Sequence, residues 1–213
     1  IRAIHDTTAL DSPAGAKIAE LPPGNRPETV QRRIVAANYR GGSAENAKRL
    51  VQLAAEPMLA MKNREAALHG LRMWTAAIET DPVLGHYRPQ VSKERTKESL
   101  AAAIGDDLRN YLGSESNATL IALATKLAEE TGISLDAETM RKQVADRNLA
   151  PEVRVATLDT LAAASDSADD SLILSLLDDS APQVQATAVR HAFARQLEGI
   201  NERGTILAAL GPI

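Results

Sequence analysis

The residues of this chain best suited to metal ligation or proton transfer are four histidines, His5, His69, His86 and His191. No two of them stand at the i, i+4 spacing of a helical metal site, and none adjoins a carboxylate cluster. Packing or solvation is the plain reading of His69 and His191. His86 differs because it falls in an irregular stretch, and loops on rigid scaffolds carry function. The acidic doublets Asp106-Asp107, Asp169-Asp170 and Asp178-Asp179 offer acid–base or calcium chemistry in principle. Neighbours on a helix do not face one another, however, and two of the doublets fall at predicted helix ends, where capping and the helix dipole favour them. The chain contains no cysteine, which excludes a disulfide scaffold, a thiolate metal site and a cysteine nucleophile. It has no serine in a Gly-x-Ser-x-Gly elbow and no glycine-rich phosphate loop after a strand. The sequence therefore predicts no catalytic residue, no metal and no cofactor.

Two features remain as binding candidates. The first is a basic cluster, Arg32-Arg33, Arg40, Lys48-Arg49, Lys62, Arg64 and Arg72. It reads either as one anion- or partner-binding face over two adjacent helix pairs or as an ordinary solvated surface. The second is the segment from Thr80 to Arg95, TDPVLGHYRPQVSKER, in which two prolines, a glycine, Tyr87 and Arg88 suggest a loop ordered against its surroundings. That segment is either a contact site or a spacer covering a groove. From the two features, His86, Tyr87, Arg88, Arg32, Arg33, Arg40 and Arg49 are the candidate partner-binding residues. Trp74 and Tyr39 read as core residues before stacking platforms.

The elements that must position these residues are helices. In 213 residues there are 38 alanines and 25 leucines but only five aromatics. A β-sandwich or barrel is seldom built from so few aromatic and β-branched residues. High aliphatic content and a net charge of -4 argue against disorder. No apolar run approaches the roughly 18 residues of a membrane helix. A sequence pI near 5.6 is the wrong sign for a nucleic-acid ligand. Residues 1–100 hold 15 Lys/Arg against 11 Asp/Glu, whereas 101–213 hold 9 against 17, an asymmetry that could orient a partner. The apolar spacing predicts helices near 13–20, 27–40, 43–55, 61–79, 95–113, 117–131, 136–147, 151–164, 169–178, 182–197 and 201–210. Prolines at 13, 27, 151 and 182 mark starts, and Gly41-Gly42, Gly113 and Gly132 mark stops. Ile1, Ala3 and Ile4 look like the end of a helix, and Leu207 to Leu210 like one cut off by Gly211-Pro212, as in a piece of a longer protein.

Short connections make consecutive helices antiparallel neighbours. The second helices of successive pairs begin near 27, 61, 117, 151 and 182, a solenoid period of about 31–34 residues with one insertion of roughly 20 at 80–95. Pro151-Glu152-Val153-Arg154-Val155-Ala156-Thr157-Leu158 aligns with Pro182-Gln183-Val184-Gln185-Ala186-Thr187-Ala188-Val189, and Arg64 to Leu71 matches Arg154 to Leu161 at the same phase. Acidic turns precede, Asp146-Arg147-Asn148 before one and Asp178-Asp179 before the other. This pattern resembles the HEAT repeat, best over 136–197, fairly over 27–79 and weakly over 95–131. The resemblance implies one all-α domain over residues 1–213, a right-handed α–α superhelix of about five stacked helix pairs.

A more specific likeness lies in Arg32-Arg33-Ile34-Val35-Ala36-Ala37-Asn38, Asn46-Ala47-Lys48-Arg49-Leu50, Arg64-Glu65-Ala66-Ala67-Leu68 with Trp74, and Val83-x-Gly85-x-Tyr87-Arg88-Pro89. These runs resemble the helical-repeat region of large bacterial extracytoplasmic proteins that join a sugar-dehydrogenase-like propeller to a cytochrome c domain. The likeness covers residues 1 to about 95. It implies an extracytoplasmic middle module, with catalysis and haem elsewhere; no Cys-x-x-Cys-His is present. The expected function is a non-enzymatic scaffold that positions domains or binds a protein partner. The alternatives are a DNA glycosylase of HEAT-like type, against which the acidic balance and single tryptophan weigh, and a repeat protein of chromophore-lyase type.

Overall fold

Most helix starts among the described residues are set by prolines and small polar side chains, and two of the stops by glycine. The computed structural model describes residues 1, 6, 13–22, 24–76, 80–87, 95–163 and 170–197. Among them the chain is all-α, with ten helices and a single antiparallel bridge between Thr80 and Tyr87. In chain order the helices are α1 (Pro13–Ala19), α2 (Glu28–Gly41), α3 (Ala44–Ala55), α4 (Met61–Arg72), α5 (Lys97–Ser114), α6 (Ala118–Thr131), α7 (Ala137–Ala145), α8 (Pro151–Ala163), α9 (Asp170–Ser175) and α10 (Pro182–Ala194). A 3₁₀ turn, Leu176–Asp178, extends α9.

Capping explains why these boundaries fall where they do. Ser43 with Asn46, and Thr96 with Ser99, form reciprocal capping boxes at the starts of α3 and α5. Asn117 and Asp136 accept first-turn N–H groups of α6 and α7. Gly42 and Gly132 close α2 and α6 in the left-handed conformation that glycine adopts without cost. The helix predicted to run over 61–79 ends early, at Arg72. There the Trp74 N–H turns back to the Leu71 carbonyl at 3.1 Å, and the Tyr39 hydroxyl donates to the Met73 carbonyl at 3.1 Å. This turn carries the indole into the core, where it is 3% exposed, so burial of one large aromatic overrides the helical periodicity. Gly113 does not stop α5, which continues to Ser114 and is closed by Glu115. The helix predicted at 201–210 lies outside the described residues.

The chain forms two compact units, residues 1–134 and 135–213. In the first, α1 packs on α2, α3 on α4 and α5 on α6, while α2 packs on α4, α4 on α6 and α3 on α5. From α2 onward each helix thus meets a chain neighbour and a next-but-one neighbour. Ile34, Leu50, Leu68, Leu71, Ile104, Leu108, Leu120 and Leu127 form its buried interior, and Ala47, Ala54, Ala67 and Ala124 are wholly buried between them. Alanine at such positions lets helices approach closely with little side-chain entropy to lose. In the second unit α8 packs on α7 and α10, and α9 on α10. Val144, Leu158, Leu161, Ile173, Val184 and Ala188 fill its core.

One joint recurs in both units. After α3 and after α7 an acidic side chain, Glu56 or Asp146, accepts the N–H two residues on, at 3.0 and 2.9 Å. A leucine follows, Leu59 or Leu149, buried in each case. The fourth residue of the next helix is an arginine. Arg64 Nε donates to the Ala54 carbonyl at 2.6 Å, and Arg154 Nε to the Val144 carbonyl at 2.8 Å. Each guanidinium also pairs with a carboxylate three residues before a later helix: Arg64 with Glu115 ahead of α6, and Arg154 with Asp179 ahead of α10. Those carboxylates in turn accept N–H groups of their own turns, from Ser116 and Asn117 in one case and Ala181 in the other. In α2 the equivalent place is held by Gln31, which bonds the Met58 carbonyl and the Ala60 N–H of the next joint.

The Arg154–Asp179 pair is bidentate, at 3.0 and 2.6 Å, and both side chains are 2% exposed. Hydrogen bonds from Arg154 hold the Asp179 carboxyl below the usual carboxylate range, outweighing the opposing effect of burial, and the Ala181 N–H adds to them. A depressed folded-state value stabilises the fold above the unfolded value of about 3.9, and this contribution is lost as pH falls through the folded value. Asp179→Ala is expected to cost about 3 kcal/mol in urea unfolding at pH 7, because it strands a buried guanidinium. The same variant should show a shallower loss of stability than the parent chain between pH 5 and pH 2.

Candidate partner-binding site

Proline at 82 and glycine at 85 make the segment after Thr80 a turn, and Asp81 organises it. The Asp81 side chain accepts the Val83 and Leu84 N–H groups at 2.8 and 3.0 Å, an arrangement typical of Asp in turns. Its own N–H donates to the His86 carbonyl at 2.9 Å, and its carbonyl accepts the Gly85 N–H at 2.8 Å. Gly85 has φ 68°, which a side chain would strain. The other Asp81 carboxylate oxygen takes an N–H of Arg40 at 3.0 Å, and Asp81 is only 1% exposed. A buried ion pair therefore fastens this loop to α2.

Arg95, at the far end of the insertion, fastens the chain to the same place. Its guanidinium lies 4.5 Å from the Trp74 ring centroid and 5.4 Å from that of Tyr39, and it donates to the Arg40 carbonyl at 3.1 Å. Tyr39 and Trp74 meet edge to face, with centroids 6.4 Å apart. Burial lowers the Arg95 guanidinium from its ordinary value. Gly42 makes room for it: a Cβ there would come within 2.2 Å of Arg95 Nη2, and φ is 69° besides.

Between α2, α4 and the Asp81 loop lies a groove of about 320 Å³. Val35, Ala36 and Tyr39 form its buried floor, Ala66 and Gly70 come from α4, and Pro82 and Val83 from the loop. Small residues create the space, since α2 and α4 approach until a Cβ on Gly70 would sit 3.3 Å from the Tyr39 ring. Arg32, His69 and Met73 complete the lining and are exposed.

The seven candidate residues separate here. Arg32, His86 and Tyr87 are exposed, Tyr87 by 70%, and all three adjoin the loop: Arg32 donates to the Pro82 carbonyl. Arg33 is buried and forked onto Asp6 at 3.0 and 2.9 Å. Arg40 faces Asp81, and Arg49 donates to the Ala19 carbonyl at 3.0 Å with Glu45 nearby at 3.5 Å. Arg88 lies outside the described residues. The rest of the basic cluster is paired too: Lys62 with Glu28, Arg64 with Glu115, and Arg72 with Glu130 in a fork that lowers the glutamate and raises the arginine. Among the described residues, Arg32 and Lys48 are the cluster members without an ion pair. Arithmetic on the sequence counts charges but cannot see that most are consumed inside the fold. Asp81 and Arg95 fall inside the 80–95 segment without being candidates of their own, and of the groove lining only Arg32 was a sequence candidate. The Asp-Pro pair ahead of Gly85 was the available signal for Asp81.

Among the described residues no group of three His, Asp or Glu side chains could hold a metal ion, and no helix is long and apolar enough to cross a membrane. His191 contacts Asp159 at 2.7 Å, beside Arg190, and His5 lies outside the described residues. Removing the carboxylate from beside buried Arg40 should loosen the loop. Asp81→Ala is expected to cost about 3 kcal/mol, and to shift the emission of Trp74, the single tryptophan, to longer wavelength in the folded baseline. An unchanged midpoint and spectrum would contradict the anchoring role of this pair. No protein-family model, no curated protein and no solved structure matches the chain.

Proposed function

We propose that this chain is a non-enzymatic α-solenoid scaffold of HEAT type, which binds a protein partner or a neighbouring domain through the Asp81 loop and the groove beside it. The observation that carries the reading is the recurring arginine joint. A scaffold of stacked pairs needs a device that fixes each pair to the next, and Arg64–Glu115 and Arg154–Asp179 are that device in duplicate. Helices that meet their next-but-one neighbours support it as well. The loop is a rigid projection on this frame, pinned by Asp81 and presenting Tyr87 to solvent, which is how scaffolds carry recognition residues. Likeness to the repeat region of extracytoplasmic dehydrogenase–cytochrome proteins supports a role as a middle module outside the cytoplasm, with the chemistry in its neighbours.

The test uses the whole chain as bait in an extract of its source, with the captured protein then purified. Tyr87→Ala combined with His86→Ala should weaken that purified complex by about tenfold or more, as expected for loss of an exposed aromatic anchor, without moving the melting temperature. Binding unchanged by the pair would remove the loop from the interface. Submicromolar, salt-dependent binding of duplex DNA would overturn the scaffold reading in favour of a nucleic-acid enzyme.

A further inference from the structure

The groove between α2 and α4 is apolar apart from its edge, and that edge carries a cation. No Asp or Glu lines it among the described residues. Arg33, Arg40, Arg64 and Arg72 nearby in sequence are each committed to a carboxylate, whereas Arg32 is exposed and has one hydrogen bond, to the Pro82 carbonyl. A guanidinium has five N–H donors in a planar fork suited to a carboxylate. One contact to the loop backbone steadies the side chain and leaves most of that fork unused. The cavity, about 320 Å³, is at the small end for ligand sites, with room for one large apolar side chain and part of its neighbours. Met73, in the lining, is itself 46% exposed and carries apolar surface out to solvent, more than a small free acid would need.

From this complementarity we infer that the groove receives an acidic–apolar peptide segment of the partner protein, a leucine or aromatic side chain on the floor of Val35 and Ala36 with an adjoining Asp or Glu on Arg32. The inference rests on the scaffold reading and narrows its partner. An apolar anchor supplies affinity, while the carboxylate fixes orientation and rejects basic segments, the usual division between core and charged rim.

The probes are N-acetylated, C-amidated decapeptides with one Leu, Phe or Trp next to Asp, Asn or Lys in a Gly/Ser background, titrated into the full chain carrying ¹³C-labelled methyl groups. The Asp peptides should shift the methyl signals of Val35, Ala36, Ala66 and Val83. They should bind about fivefold more tightly than their Asn twins, with the Lys twins weaker still, and the difference should shrink in high salt. Arg32→Glu should invert the order and Arg32→Gln should abolish it, both at an unchanged melting temperature. Equal binding of the Asp, Asn and Lys peptides, or an order indifferent to both variants, would overturn the inference. N-acetylphenylalanine binding as tightly as the peptides would overturn it in favour of a small carboxylate. Groove methyls left unmoved by every peptide, while a captured partner still binds through Tyr87, would sink the peptide class and leave the scaffold standing.

Discussion

A guanidinium at the fourth position of a helix, buried in Arg154 and half-buried in Arg64, organises each unit of this protein. Arg64 and Arg154 each reach back to a carbonyl at the end of the preceding helix and outward to a carboxylate that opens a later one. Three separate segments are thereby fixed by one side chain. Burying a charge is costly unless every donor is met and the partner is an anion, so the joint tolerates few geometries. That intolerance specifies how one helix pair meets the next, which a seam of alanine and leucine would not do alone. Leucine and alanine supply the apolar burial; arginine supplies the register.

The same economy governs the loop at 80–87. Asp81 satisfies two backbone N–H groups and a buried arginine, so an irregular segment is held as firmly as a helix end. Arg95 on Trp74 and Tyr39 closes the other side, in a space that only Gly42 leaves open. What remains on the surface, Arg32 and Met73 with the groove they line, and Tyr87 on the loop, is what the internal pairing has not used. The candidate interface is in that sense the residue of the fold's own electrostatics.

The elements were legible in the sequence wherever a local rule governs them. Pro151 and Pro182 open α8 and α10, Gly42 and Gly132 close α2 and α6, and the four-residue stripe from Leu100 to Leu112 lies buried along α5. The correspondence of Arg64 with Arg154, visible as a repeat in residues, reappears as the same hydrogen bond to a preceding carbonyl. The end of α4 was not legible, because Trp74 leaves the helix for a reason that sits on α2. Nor was the fate of the basic cluster, since Arg33 finds Asp6 and Arg72 finds Glu130 across long sequence distances.

Composition, helical period and capping signals by themselves determined that the described residues are all-α, where most of their helices begin, and that no cysteine chemistry takes place in the chain. These are decided within a few residues, by backbone hydrogen bonding and the side chains that cap it. Only the tertiary structure decided which charges are spent and which are left. An ion pair depends on where two distant segments are brought, and that position follows from packing the whole unit. The groove is of the same kind: Ala36, Ala66 and Gly70 are ordinary small residues until α2 and α4 are laid side by side and Pro82 and Val83 are drawn over them.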